Sequence, residues 1–209
     1  MLLVTLTFSG YLIGSIPTAY WFGKCFFGID IREHGSKNSG ATNTFRVLGS
    51  KTGWSVLIID VLKGTLAASL PLFFTFLYQG FKDEQLILQL TASFAAVLGH
   101  VFPLFANFRG GKGVATSLGI VIGINPLAAG ICLFIFLLVF VSSRFVSLGA
   151  ICASLMFPII SYYVVRHDAR IMIIFSIVLS SLVILAHRKN ISRLLKGEEN
   201  KMNLLKKKA

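Results

Sequence analysis

Charge is scarce in this 209-residue chain: charged residues make up 13% of it, and only 8 residues are acidic. A soluble domain carries about 25%. With 55% of residues hydrophobic and a mean hydropathy of +0.79, there is too little polar surface to coat a water-soluble globule of this size. A membrane must serve as the solvent for most of the chain. Cysteine is sparse too. Cys25, Cys132 and Cys152 form no CxxC pair, which argues against a disulfide framework or a thiolate metal site. No metal cluster is evident, and no cofactor is expected. The nucleotide-binding loop Gly-x4-Gly-Lys-Ser/Thr is also missing, because Ala106 stands where its first glycine belongs. A basic segment ahead of the first apolar stretch is lacking, so that stretch is expected to be a transmembrane helix, not a cleaved signal.

Long apolar runs, by contrast, fill the chain. A spanning helix needs about 20 mostly apolar residues. The first expected span covers about 2–22, with Pro17 inside it, and the next two cover about 53–77 and 86–105. The stretch 114–141 is too long for one ordinary span. Asn125-Pro126 divides it into two helices, because proline restricts the residue before it. The last two spans cover about 145–165 and 171–186. Short polar turns are expected at 79–84, 142–144 and 166–170.

Seven spans put 24–51, 106–112, 142–144 and the tail 187–209 on one side, with five, two, one and eight Lys+Arg respectively. The other side has Lys82, Arg166 and Arg170. Basic loops stay in the cytoplasm. The expectation is therefore an all-α, polytopic membrane bundle of seven transmembrane helices, N-terminus outside and C-terminus cytoplasmic. It is read as one domain, 1–209, ending in a basic cytoplasmic tail at 187–209. The net charge of +12 is mostly absorbed by this orientation, and no nucleic-acid partner is expected. Lys206, Lys207 and Lys208 suit anionic lipid headgroups. Asp60 and Lys63 lie three residues apart inside the second span, where charges are costly, and read as an ion pair.

Three polar segments fall on the expected cytoplasmic side. The first, Glu33 to Arg46 (EHGSKNSGATNTFR), is dense in small hydroxyl and amide donors. It can curl its N–H groups round an anion, with Arg46 offering a forked guanidinium; it can equally be a solvated loop. The second, Phe108 to Thr116 (FRGGKGVAT), surrounds Lys112 with glycines just ahead of an apolar helix. That is a place for a phosphate or a glycine turn with an orienting lysine. In the third, His187 to Lys201, helical spacing puts His187 and Asn190 on one face; a lone histidine can be structural.

Taken together, GSIPTAY at 14–20, GSKNSGATNTFRVLG at 35–49, DVLKG at 60–64, GHVFPLFANFRGGKGVAT at 99–116 and HRKNISRLLKGEE at 187–199 resemble the bacterial acyl-phosphate-dependent glycerol-3-phosphate acyltransferases. The likeness covers nearly the whole chain. It implies transfer of a fatty acyl group from acyl phosphate to the 1-hydroxyl of glycerol 3-phosphate, giving lysophosphatidate and phosphate. It also implies a multi-pass protein of the bacterial inner membrane, expected to be a monomer, working at the cytoplasmic face. Catalytic roles follow for Ser36, Arg46, Lys112, His187 and Asn190, and substrate binding for Thr42, Asn43, Gly110, Gly111, Gly113 and Glu199. No histidine here has Asp four or five residues after it, so the chain is unlike acyltransferases built on a His-x4-Asp pair.

The expected chemistry is direct. Phosphate leaves readily once its charge is met, and basic groups offset the repulsion between two anionic substrates. The base that takes the hydroxyl proton is left open between His187 and a substrate phosphate oxygen. A transporter for a small phosphorylated anion and a lipid-binding scaffold are the competing readings. The first would need polar residues at mid-bilayer or inverted repeats; the second does not account for three polar segments on one side.

Overall fold

The computed structural model describes residues 1–77, 84–164 and 169–202. Most of the expected turns at 79–84 and 166–170, and Lys206 to Lys208, lie outside the described residues. Among those described there is no strand.

The first apolar stretch is two helices, α1 (Leu2–Gly14) and α2 (Thr18–Phe27), where one continuous helix was expected. Pro17 has no N–H to give and its ring crowds the carbonyl four residues back. The chain therefore opens at Ser15–Pro17, and Thr18 N donates to Ile16 O at 3.1 Å. The polar stretch that follows is also more ordered than its composition suggested. A 3-10 turn at Ile31–Glu33 and a short α3 (Ala41–Val47) precede the long α4 (Ser50–Leu77). Next come α5 (Gln85–Val101), a 3-10 turn at Leu104–Ala106 and α6 (Val114–Ile124). The remaining helices are α7 (Pro126–Ser143), α8 (Val146–Val164), α9 (Ala169–Ala186) and α10 (Arg188–Leu195).

Five segments are long and apolar enough to cross a bilayer: Leu2–Phe27, Ser50–Phe74, Gln85–Ala106, Pro126–Ser143 and Val146–Val164. Arg170–Ala186 with Arg188–Leu195 makes a sixth if the pair, bent by 61°, counts as one. The fourth expected span, α6, has only 11 residues. At about 1.5 Å per residue it extends roughly 16 Å, about half of a hydrocarbon core.

The chain divides into two compact units, 1–124 and 125–209. In the first unit, small residues let helices approach closely, which is how helices associate where lipid gives no hydrophobic drive. Gly14 of α1 lies against the Ala96 carbonyl of α5, and Gly119 of α6 against the Val61 carbonyl of α4; a Cβ at either glycine would strike that backbone. Thr65 Oγ1 of α4 adds a hydrogen bond to Gly119 O at 2.9 Å. Pro71 sits inside α4. The buried amide of Gln89 in α5 donates to Ala68 O, next to the Ala67 carbonyl that Pro71 leaves without its helical donor, at 3.0 Å.

In the second unit, Asn125 caps α7: its side chain accepts from Ala128 N at 2.9 Å, with Pro126 in the first turn. The break expected at Asn125-Pro126 is there. α8 packs against both α7 and α9, and Ser180 Oγ of α9 donates to Ser154 O of α8 at 2.6 Å.

Candidate functional site

The first unit contains a buried polar cluster that starts from the break at Pro17. Opening the helix leaves the Ile16 carbonyl accessible, and Lys63 Nζ donates to it at 3.0 Å. Lys63 also pairs with Asp60 Oδ1 at 2.9 Å, and Thr18 Oγ1 donates to the same oxygen at 3.0 Å. Both charged side chains are under 5% exposed. The ion pair expected from sequence is present, and every charge in it has a polar neighbour, which is what makes burial in this medium tolerable.

Just outside the membrane-spanning part of α2, the 28–49 loop is organised by two side chains. Asn43, buried in α3, spends its amide on the loop backbone: Oδ1 accepts from Ser36 N at 2.8 Å, and Nδ2 donates to Ile31 O and His34 O, both at 3.0 Å. Gly35 turns the chain at φ 60° directly over that amide, where a Cβ would collide with Asn43 Oδ1. Ser36 is left exposed, and Thr42 and Arg46 half-buried. Arg32 is the second organiser. It donates to Asp30 through Nε at 2.9 Å and Nη2 at 2.8 Å, stacks 4.2 Å over the Tyr20 ring, and donates through Nη1 to Ala106 O at 2.8 Å. The hydrogen bond from Arg32 holds the Asp30 carboxyl below its ordinary range despite burial. Arg32 thus ties the first polar segment to the entrance of the second.

The second segment lies along the end of α5. Asn107 and Phe108 both adopt left-handed backbone, at φ 53° and 56°, and turn the chain back. Gly110 N then donates to Val101 O at 3.2 Å and Gly111 N to His100 O at 3.1 Å. Gly111 is packed against the imidazole of His100, so that a Cβ there would overlap Nε2. Gly113, at φ 81°, leads into α6, and Ser117 N donates to its carbonyl at 2.7 Å. Lys112 is therefore presented, half-buried, between two buried glycines at the start of a helix, where partial positive charge favours an anion.

In the second unit, His187 starts α10 and Asn190 follows one turn later; both are buried, so they share a face as their spacing predicted. His187 Nδ1 lies 2.8 Å from Val183 O. A carbonyl only accepts, so Nδ1 carries a proton. Glu199 is a clasp. Its Oε1 accepts from Ser147 Oγ at 2.9 Å and Asn190 Nδ2 at 2.6 Å, and its Oε2 from Arg193 Nε at 2.7 Å. Burial works to raise this carboxyl, but the bonds from Arg193, Asn190 and Ser147 outweigh it and hold it below 4.5. The chain after α10 is also fixed by Met202 N donating to Arg144 O at 2.9 Å.

The expected residues thus fall into two sets. Ser36, Thr42, Asn43, Arg46, Gly110, Gly111, Lys112 and Gly113 belong to the first unit, and His187, Asn190 and Glu199 to the second. Sequence reasoning missed Arg32, Ser147 and His100. Each makes its contact with a partner distant in the chain, and only the run DVLKG beside GHVFP gave a hint that these helices carry matched polar groups.

Residues 4–197 match the family described as glycerol-3-phosphate acyltransferase. Among curated relatives, a glycerol-3-phosphate acyltransferase of Fusobacterium nucleatum is 44% identical over 191 residues, 91% of this chain and 93% of that one. One of Bacillus cereus is 47% identical over 197 residues, 94% of this chain and 93% of that one. Among solved structures, PlsY (YgiH), an integral membrane glycerol 3-phosphate acyltransferase in its glycerol 3-phosphate form, superimposes with a TM-score of 0.85 at 36% identity, covering 97% of this chain and 96% of that one. Its lysophosphatidic acid form gives 0.83 at 35% identity with the same coverage.

Proposed function

The chain belongs to the glycerol-3-phosphate acyltransferase family, and from that premise we propose that Ser36, Arg46 and Lys112 of the first unit and His187 and Asn190 of the second are its working side chains. It is a multi-pass membrane enzyme of phospholipid synthesis that acylates glycerol 3-phosphate. In the proposed reaction the donor is an acyl phosphate. The 1-hydroxyl oxygen bonds to the acyl carbon, the bond from that carbon to the phosphate oxygen breaks, and lysophosphatidate and inorganic phosphate leave.

Lys112 and Arg46 meet phosphoryl charge, and Ser36 donates from the exposed turn that Asn43 supports. With Gly110 N and Gly111 N already donating to Val101 O and His100 O, the glycines act by letting the loop backbone around Lys112 come close to a phosphate. Asn190 is held by Glu199, whose role is then to fix a neighbour. The hydroxyl proton passes to a phosphate oxygen of the substrate; His187, with Nε2 as acceptor, orients that hydroxyl or takes the proton itself. The enzyme acts as a monomer in the bacterial inner membrane, with its basic loops and this chemistry on the cytoplasmic side.

The observation that carries the reading is the setting of Lys112, on a glycine loop at a helix start, in a chain matched to this family over residues 4–197. Purified protein supplied with acyl phosphate and glycerol 3-phosphate should release phosphate and form lysophosphatidate in equal amounts; acyl-CoA in place of acyl phosphate should give neither. Lys112→Ala should lower turnover on the order of 10²- to 10³-fold, as loss of one charge-stabilising donor does, with thermal unfolding unchanged. Full turnover in that variant would remove Lys112 from the mechanism. An acyl group trapped on Ser36 by rapid quench and mass spectrometry would replace direct transfer with a covalent route.

A further inference from the structure

His100 lies at the end of α5, 6% exposed, and none of the chemistry above uses it. It touches the glycine loop twice, through its carbonyl, which accepts from Gly111 N at 3.1 Å, and through its ring, which fills the place where a Gly111 side chain would start. From that point Nε2 is the nearest atom, with the ring carbons Cε1 and Cδ2 at 3.0 and 3.1 Å. On its far side Nδ1 faces Asp60 Oδ1 at 3.8 Å, beyond hydrogen-bond length, and has no hydrogen-bond partner among the described residues. Asp60 is itself fixed by Lys63 and Thr18.

A phenyl ring would fill this space without leaving a buried nitrogen unpaired. The imidazole therefore adds something packing alone does not require: one nitrogen turned to the loop and the other to a fixed carboxylate. We propose that His100 is a positioning residue that acts through Gly111 on Lys112, setting the glycine loop against the buried Asp60–Lys63 pair. This rests on the reading of Lys112 as a group that grips phosphate, and takes that phosphate to be the one on glycerol 3-phosphate. It assigns a reason to Gly111 as well: the glycine is there to admit a ring, apart from any contact with substrate.

The test is a size-swap cycle in the full chain: His100→Ala, Gly111→Ala and the double variant, each assayed for the KM of glycerol 3-phosphate and of acyl phosphate and for hydrogen exchange of the peptide 106–113. Misplacement of a binding group by about 1 Å can cost up to ~100-fold. Gly111→Ala alone should raise the KM for glycerol 3-phosphate on the order of 10- to 100-fold while leaving that for acyl phosphate near wild type. His100→Ala should speed exchange in the loop. The double variant should be no worse than His100→Ala, because the methyl group occupies the space the ring vacated. His100→Gln, with a polar group that can reach both ways, should recover more of the wild-type KM than His100→Leu, and this pair makes the same comparison if His100→Ala does not fold. Independent, multiplying defects in the double variant would overturn the proposal, as would equal shifts in both KM values or unchanged loop exchange in the His100 variants. A wild-type protein that fails to turn over these substrates would instead sink the functional reading, and the exchange data would still judge the loop.

Discussion

Asp60 and Glu199 are both carboxylates held by several donors, but they reach that state by opposite routes. Asp60 sits in the regular part of α4, three residues from its counter-ion, with a second contact from Thr18. Glu199 arrives on an irregular segment after α10 and collects Ser147, Asn190 and Arg193. Asp60 is paired inside a spanning helix, where an unmatched charge has no water to fall back on; Glu199, though its side chain is only 5% exposed, lies outside the spanning helices and pairs with Arg193, which is 34% exposed. The same kind of contact is therefore worth different amounts in the two units.

The largest effect should come from breaking the first. Lys63→Ala leaves Asp60 buried and unmatched, which costs about 3–5 kcal/mol; thermal unfolding of the purified protein should show a large drop, with Asp60→Asn,Lys63→Met recovering part of it. Glu199→Ala should cost less, about 1.5–3 kcal/mol for bonds to a charged group, and chain exchange measurements should place the loosening in 188–202. Acid sharpens the contrast further. Glu199 is held below its ordinary 4.5, so its ionised form is the one the fold favours. Its contribution is complete above that pH and is lost as pH falls through the lower folded value. Protection of 198–202 should fall in that acidic window, and Glu199→Gln should abolish the dependence. The smallest effect belongs to Glu198→Gln, next door but exposed, where unfolding should move by less than about 0.5 kcal/mol.

The Asp60–Lys63 pair was legible in the sequence because it is local: three residues on a helix share a face. The Asn125-Pro126 break was legible for the same reason, since the cap and the proline act on their own turn. The first span was legible with Pro17 inside it, but not that its helix opens at 15–17, because the donor that takes the exposed Ile16 carbonyl, Lys63, comes from another helix. The helix α3 went unseen because seven residues carry too little periodicity to stand out from polar surroundings. Arg32 to Ala106 and Ser147 to Glu199 were out of reach, each joining residues that only the folded chain makes neighbours. The motif resemblance named candidate residues of both units but could not say that Asn43 holds a loop or that Glu199 holds Asn190.

The short α6 runs parallel to α4, with Thr116 beside Gly64, Gly119 beside Val61 and Gly123 beside Ala68. Its first residues therefore sit level with Asp60, ten residues in from Ser50, or about 15 Å along α4. With 28 residues, α4 is roughly 42 Å long and overshoots a ~30 Å hydrocarbon layer by about 12 Å. The stub thus recesses its own start, and the glycine loop with Lys112 before it, nearly three turns of α4 behind Ser50.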